Sequence, residues 1–450
     1  MKRDSLPRPR PVATSLVLVL TILLSTGAPA SAATTPAPLP SGDTQQCLPP
    51  PKATDPATPW AQQQLDPQRV WSLTRGAGVT VAVVDTGVDA NSPQLAGRVL
   101  PGTDVIDPGG GPADTDCYGH GTFVAGIIGA APAAGVGFAG VAPDVTILPI
   151  RSATGLQNPA SALAQGIRAA VDANAQIINV SSSTDVSTPD LQSAVDYAAA
   201  HNVLIVASAA NSAQQGDPVT YPASYPSVLA VGAVDSTGAR ADFSQTGSYL
   251  GLVAPGVDVI SIGPGGPGQW EGSGTSYSAP FVTGVAALVH AYRPRLTAEQ
   301  IRHRLEATAD HPPAGNLPDP DFGSGTVNPM AAVTAVLPEE GAAGAPLVGP
   351  PPPAHPDLSA PDRLGSLIAV VGVFTTIVLA FVVRMAWQFG PAGRQRRWRP
   401  ARVIAVLPEP TAENSASAAA HGHDWSPSGT GTGKPGTNWP ARLAAFWKGH

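Results

Sequence analysis

Four polar residues stand in separate short motifs of this chain, each beside glycines or at the end of an apolar run. Asp85 lies in VAVVDTGVD (81–89), His120 in GHGTFVAG (119–126), Asn211 just after VLIVASA (203–209), and Ser276 in GTSYSAPFVTG (274–284). Brought together, they would supply a nucleophilic hydroxyl, an imidazole to take its proton, a carboxylate to orient the imidazole, and an amide donor for developing negative charge. That set performs acyl transfer. Taken singly, each residue has a plainer reading. Ser276 ahead of Pro280 reads equally as a helix cap, Asp85 and Asn211 as turn formers, and His120 as one satisfied histidine among nine.

The elements that must position them are legible in outline. The runs VTVAVV (79–84), VTILPI (145–150), QIINVS (176–181), VLIVASA (203–209) and SVLAVGAV (227–234) are short and rich in β-branched residues, as expected of strands buried on both faces. Helical patterns separate several of them: GTFVAGIIGAA, PASALAQGIRAAVDAN and PDLQSAVDYAAAHN, with TAEQIRHRLEATAD and a last loop and helix closing the domain. Alternation of strand and helix predicts right-handed crossovers and a mostly parallel central sheet with helices on both faces. In such a sheet, chemistry gathers at the carboxyl ends of strands, where Asp85 and Asn211 are expected to stand. Ser276 is expected to open an apolar helix, its backbone N–H joining Asn211 as a second oxyanion donor.

The order along the chain is Asp, His, Ser, an order distinct from those of the α/β-hydrolases and of chymotrypsin. With the three motifs in sequence, the chain resembles the subtilisin-family serine peptidases over roughly residues 60–337. Within that family it is most similar to the mycosins, through PWAQQQLDPQRVWSLTRGAGVTVAVVDTGV, the cysteine of DCYGHGT, and the segments that flank the peptidase region. The resemblance implies an Asp85–His120–Ser276 triad, a serine endopeptidase acting on protein substrates, and association with a type VII secretion complex, with a structural role separable from proteolysis. Substrate is expected to bind as an extended strand along Ser181, Ser182 and Ser183. Two positions depart from the family pattern: Ala210 stands where glycine is usual, expected to tilt the Asn211 amide, and Ser183 stands where glycine is usual, expected to narrow the first specificity pocket toward small residues.

The flanks place this machinery. Residues 1–32 read as a signal peptide, with a basic start, an apolar stretch and an A-x-A end. Residues 33–58 form a Pro-rich N-terminal extension, too short for a folded inhibitory prodomain; 59–337 is the peptidase domain and 338–363 a Pro-rich stalk. Residues 364–383 run without a charge, long enough as a helix to cross a hydrocarbon core of ~30 Å. Arginines at 384, 394, 396, 397, 399 and 402 follow, so the tail 384–450 is expected in the cytoplasm and the peptidase domain outside, on a single-pass membrane protein. Cys47 and Cys117 then share a compartment in which disulfides persist, and are expected to pair; two free buried thiols are the alternative. A net charge of -7 and no basic stripe argue against nucleic acid as a partner. No cofactor is expected, and no metal-binding loop is recognisable.

Overall fold

The computed structural model describes residues 36–40, 47–107, 109–155, 158–311, 317–344, 378–381 and 384. The chain divides into two compact units, 1–356 and 357–450, and the second is described only at its helical residues 378–381 and 384. The expected signal peptide, most of the stalk, most of 364–383 and the tail after Arg384 lie outside the described residues. Among the described residues no helix is long and apolar enough to cross a membrane.

Seven strands form the main sheet: β2 (Thr80–Asp85), β3 (Thr103–Asp104), β4 (Thr146–Arg151), β5 (Ile177–Val180), β6 (Leu204–Ser208), β7 (Val228–Val234) and β8 (Leu250–Pro255). Their spatial order is β3-β4-β2-β5-β6-β7-β8, and every pairing is parallel. Side chains alternate between two cores, as the pleat requires. Val81 and Val83 of β2 face one, with α1 (Trp60–Leu65), α2 (His120–Gly129) and α5 (Thr275–Tyr292); Ala82 and Val84 face the other, with α3 (Ala160–Asp172) and α4 (Pro189–Ala200). Burial on both faces is why these strands read as unbroken apolar runs.

Strand order reverses at β2, which has β4 on one side and β5 on the other. Such a reversal parts the crossover loops and opens a crevice at the carboxyl ends of the strands. Asp85 is the last residue of β2 and sits at that crevice.

A smaller sheet has the order β1 (Ala37–Pro38), β10 (Gln269–Gly272), β9 (Val259–Ile262). Its first strand belongs to the N-terminal extension and runs parallel to β10, with Ala37 opposite Trp270 and Pro38 opposite Glu271. The extension continues into a disulfide between Cys47 and Cys117. Having no core of its own, the extension gains order by pairing its backbone and packing the partly buried Leu39 against the domain.

The other end of the domain is held by two arginines. α6 (Ala298–Ala307) carries Arg304, wholly buried, which donates to the carbonyls of Ala332 (2.8 Å) and Ala335 (3.0 Å) and pairs with Glu340. Arg293 donates to Val333 O (3.2 Å) and Ala335 O (2.9 Å). The carbonyls around the end of α7 (Pro329–Thr334) thus find donors in side chains. Removing one member of a buried pair strands the other charge, at a cost of about 3–5 kcal/mol. Glu340→Ala is therefore expected to lower the unfolding free energy by about that amount in urea titration, and by more than Glu339→Ala, whose side chain is half exposed.

Candidate active site

Asp85 is 2% exposed, and its Oδ1 accepts from Thr86 N–H (2.8 Å) and lies 2.7 Å from His120 Nδ1. For the imidazole to reach it, helix α2 must come very close to the turn after β2. Gly121 permits this approach: a Cβ there would lie 2.0 Å from Gly87 O and 3.2 Å from Asp85 Cβ. Gly119 precedes the histidine with φ +85°, a conformation only glycine takes without strain. These are the two glycines that bracket His120 in the sequence, and each has its own steric reason.

Gly119 occupies the N-cap position of α2 and has no side chain to cap with. Asp116 does that work from outside the helix. Its Oδ2 accepts from Thr122 N–H (2.9 Å) and Thr122 O–H (2.7 Å), and its Oδ1 from Gly119 N–H (2.8 Å), Tyr118 N–H (3.1 Å) and Thr86 O–H (3.0 Å). Burial pushes the Asp116 carboxyl up, with the nearby Asp85 charge adding to the rise, while the bonds from Thr122 and Gly119 oppose it. Sequence reasoning passed over this residue. The available signal was an aspartate just ahead of a predicted helix whose cap position is glycine.

Burial pulls the His120 pKa down, but the charge and hydrogen bond of Asp85, helped by Asp116, outweigh it and leave the imidazole above its ordinary value. The ring also packs beside Tyr277, with centroids 5.4 Å apart, and Tyr277 in turn rests on Phe123 at 4.5 Å. An imidazole fixed in this way, with Nδ1 committed to a carboxylate, is free to exchange a proton at Nε2.

Ser276 is the second residue of α5. Pro280 lies four residues on and has no N–H, so the Ser276 carbonyl has no partner within the helix. Ser181 O–H donates to it instead (2.7 Å), and accepts from Asn179 Nδ2 (2.8 Å), whose Oδ1 accepts from Thr283 O–H (2.8 Å). Ser181 is thus buried support for the first turn of α5, although it also lines the site cavity. Ser182 accepts from Asn158 Nδ2 (2.7 Å), and Ser183 lines the same cavity.

Asn211 Oδ1 accepts from Thr275 N–H (2.8 Å) and Thr275 O–H (2.9 Å), which fixes the orientation of the amide. Its Nδ2 then faces the crevice. A Cβ built on Gly274 would stand 3.4 Å from Asn211 Nδ2, 3.5 Å from Ser276 Oγ and 3.8 Å from Ser276 N, so a hydroxyl and two N–H donors converge on one small region. Ala210 takes a left-handed φ of +83°, and Thr275 Oγ1 accepts from its N–H (3.1 Å). Thr275 grips both residues, and the Asn211 amide keeps both its bonds despite the alanine. Thr275 is the second residue that sequence reasoning missed; a threonine beside a serine carries no distinct signal.

Asp85, His120, Asn211 and Ser276 all line one cavity of ≈ 170 Å³, together with Ser181, Ser182 and Ser183. Among the described residues, no group of three or more His, Cys, Asp or Glu is placed to hold a metal ion.

A model of the subtilase family matches residues 76–325. The chain belongs to the subtilase family. Among curated relatives, Mycosin-4 of Mycobacterium tuberculosis is 41% identical over 326 residues, spanning 62% of this chain and 70% of that protein. Mycosin-1 of Mycolicibacterium smegmatis is 35% identical over 379 residues, spanning 72% of this chain and 82% of that one. The crystal structure of MycP1 from the ESX-1 type VII secretion system superposes with a TM-score of 0.58 at 31% identity, covering 71% of this chain and 94% of that chain. This subtilase is accordingly a subtilisin-like serine protease, and its mycosin relatives match well beyond the peptidase motifs.

Two measurements check the local physics. In this subtilase the His120 imidazole is expected to titrate above 6.5 by NMR, and Asp85→Asn, which leaves burial largely unopposed, should lower the midpoint. Ala210→Gly relieves a non-glycine residue from positive φ and should raise stability by about 1 kcal/mol in denaturant titration.

Proposed function

We propose that this subtilase is a membrane-anchored, extracytoplasmic serine endopeptidase that processes secreted proteins in association with a type VII secretion machinery. The observation that carries the catalytic reading is the convergence of Ser276 Oγ, Ser276 N and Asn211 Nδ2 on one region, in a cavity shared with a His120 bonded to Asp85 at 2.7 Å. Ser276 Oγ attacks the scissile carbonyl while His120 Nε2 takes its proton. The oxyanion receives N–H bonds from Ser276 and Asn211. His120 passes the proton to the leaving nitrogen as the C–N bond breaks, and a water then repeats the sequence to release the acyl group and restore the hydroxyl. Asp85 holds the tautomer and stabilises the imidazolium; it does not itself take up the proton.

Substrate lies extended along 181–183. Ser183 borders a cavity of only ≈ 170 Å³, which favours a small residue before the scissile bond. The anchored, external placement is supported by the leader at 1–32, the charge-free stretch 364–383 and the arginines after it. The secretion partnership is supported by the similarity to mycosins and to MycP1, a protein of a type VII system. A structural role separable from proteolysis is the second reading, for which the two departures from the family pattern, Ala210 and Ser183, leave room.

Ser276→Ala should fold normally and lose labelling by a fluorophosphonate probe, with hydrolysis falling to a residual ~10³–10⁴ over water. In a deletion strain, the same variant should support export while substrate processing stops; loss of export would make proteolysis the essential function. Because His120 must be neutral to act as base, and its pKa is raised, the acid limb of kcat/KM should have its midpoint above 6.5, activity falling as pH drops through it.

A further inference from the structure

A second cavity, of ≈ 320 Å³, shares His120, Gly155, Asn211 and Ser276 with the first, and the rest of its lining is distinct. Its far wall is not made by the peptidase motifs. Leu39 and Pro40 of the N-terminal extension contribute to it, with Tyr118, Ser273 and Tyr277 in the same lining. We infer that Leu39 and Pro40 bound the subsite for the leaving-group side of the substrate, and that this wall selects an uncharged, small or aliphatic residue directly after the scissile bond.

The inference rests on the catalytic reading above. With the acyl part of an extended peptide along 181–183 and the scissile carbonyl over Ser276, the residue carrying the leaving nitrogen must pass beyond His120, into the second cavity. The wall there is fixed from both ends. On one side β1 pairs with β10, and Leu39 N–H donates to Glu271 O at 2.7 Å; on the other, Cys47 is bonded to Cys117, and Leu48 N–H donates to Cys117 O at 2.8 Å. Leu39 Cδ1 lies 3.7 Å from where a Cβ on Gly119 would stand, so the side chain abuts the residue preceding His120. A wall so anchored can exclude by shape.

The chemistry of the lining sets the preference. Apart from His120, the cavity is lined by no acidic or basic side chain among the described residues. A charged residue entering it would lose water without gaining a counter-charge. Leu39, Pro40 and the Tyr277 ring offer apolar surface, and a difference of one or two methylene groups in such a pocket is worth roughly tenfold or more in kcat/KM.

The test uses the full-length protein in detergent, its active concentration set by fluorophosphonate titration. A cleaved peptide is varied only at the residue after the scissile bond, and kcat/KM is compared for Ala, Leu, Trp, Asp and Lys there. Wild type should favour Ala and Leu over Trp, Asp and Lys. Leu39→Ala should raise Trp relative to Ala by about tenfold, Leu39→Phe should lower Leu relative to Ala, and Pro40→Ala should relax the preference in the same direction as Leu39→Ala. Preference before the scissile bond, read in a second peptide series, is the internal reference. Ratios unmoved in the Leu39 variants, or in Pro40→Ala should those fail to fold, would overturn the inference, as would an equal shift in preference before the bond. Wild-type protein that does not label at Ser276 would overturn the catalytic reading, and this inference with it; labelled protein with unmoved ratios overturns the inference alone.

Discussion

A carboxylate almost wholly removed from water, at the point where strand order reverses, is the feature around which the rest of this site is arranged. Donors brought to Asp85 Oδ1 offset the cost of burying its charge. One donor is the Thr86 N–H and the other is the His120 ring. Bringing the ring within reach forces α2 against the β2 turn, which requires Gly121, and leaves the helix start to be capped from a distance, which Asp116 does. The neighbouring disulfide then ties the extension to the same loop. One buried charge therefore accounts for Gly121, a second carboxylate and the position of a helix.

The Ser276 side obeys a different constraint, the need to expose a hydroxyl while leaving no buried backbone group unsatisfied. Pro280 deprives the Ser276 carbonyl of its usual partner, and the Thr283–Asn179–Ser181 chain restores one from beneath. Thr275 performs the corresponding service for Asn211, accepting from Ala210 and donating to the amide oxygen. Ser276 and Asn211 at the crevice are thus each held by a group behind them. Such rigidity is what preorganised electrostatic stabilisation needs, since donors already aimed require no reorganisation during reaction.

The termini of the domain are integrated by unlike means. The extension adds a strand to the small sheet and a disulfide, gaining order from backbone pairing and a covalent tie. The C-terminal segment is held by buried guanidinium groups on its carbonyls. Both devices compensate for segments too short to bury a core of their own.

Much of this was legible in the sequence. Short β-branched apolar runs located β2, β4, β5, β6 and β7, because a strand covered on both faces must be apolar throughout; three ordered motifs singled out Asp85, His120 and Ser276, which the fold brings to one cavity. What the sequence did not disclose are the residues whose chemistry is ordinary and whose importance comes from position: Asp116 as a remote helix cap, Thr275 as a clamp, Ser181 as support for a helix start, and Leu39 with Pro40 as a wall of the crevice. Serine, threonine and leucine are common enough that type and spacing carry no signal. Their partners lie far off in sequence, 95 residues away in the bond from Ser181 to Ser276, and are chosen by strand order and helix approach. The sequence by itself determined which groups can react. Only the tertiary structure decided which groups hold them still, because that depends on distances between elements that no local pattern encodes.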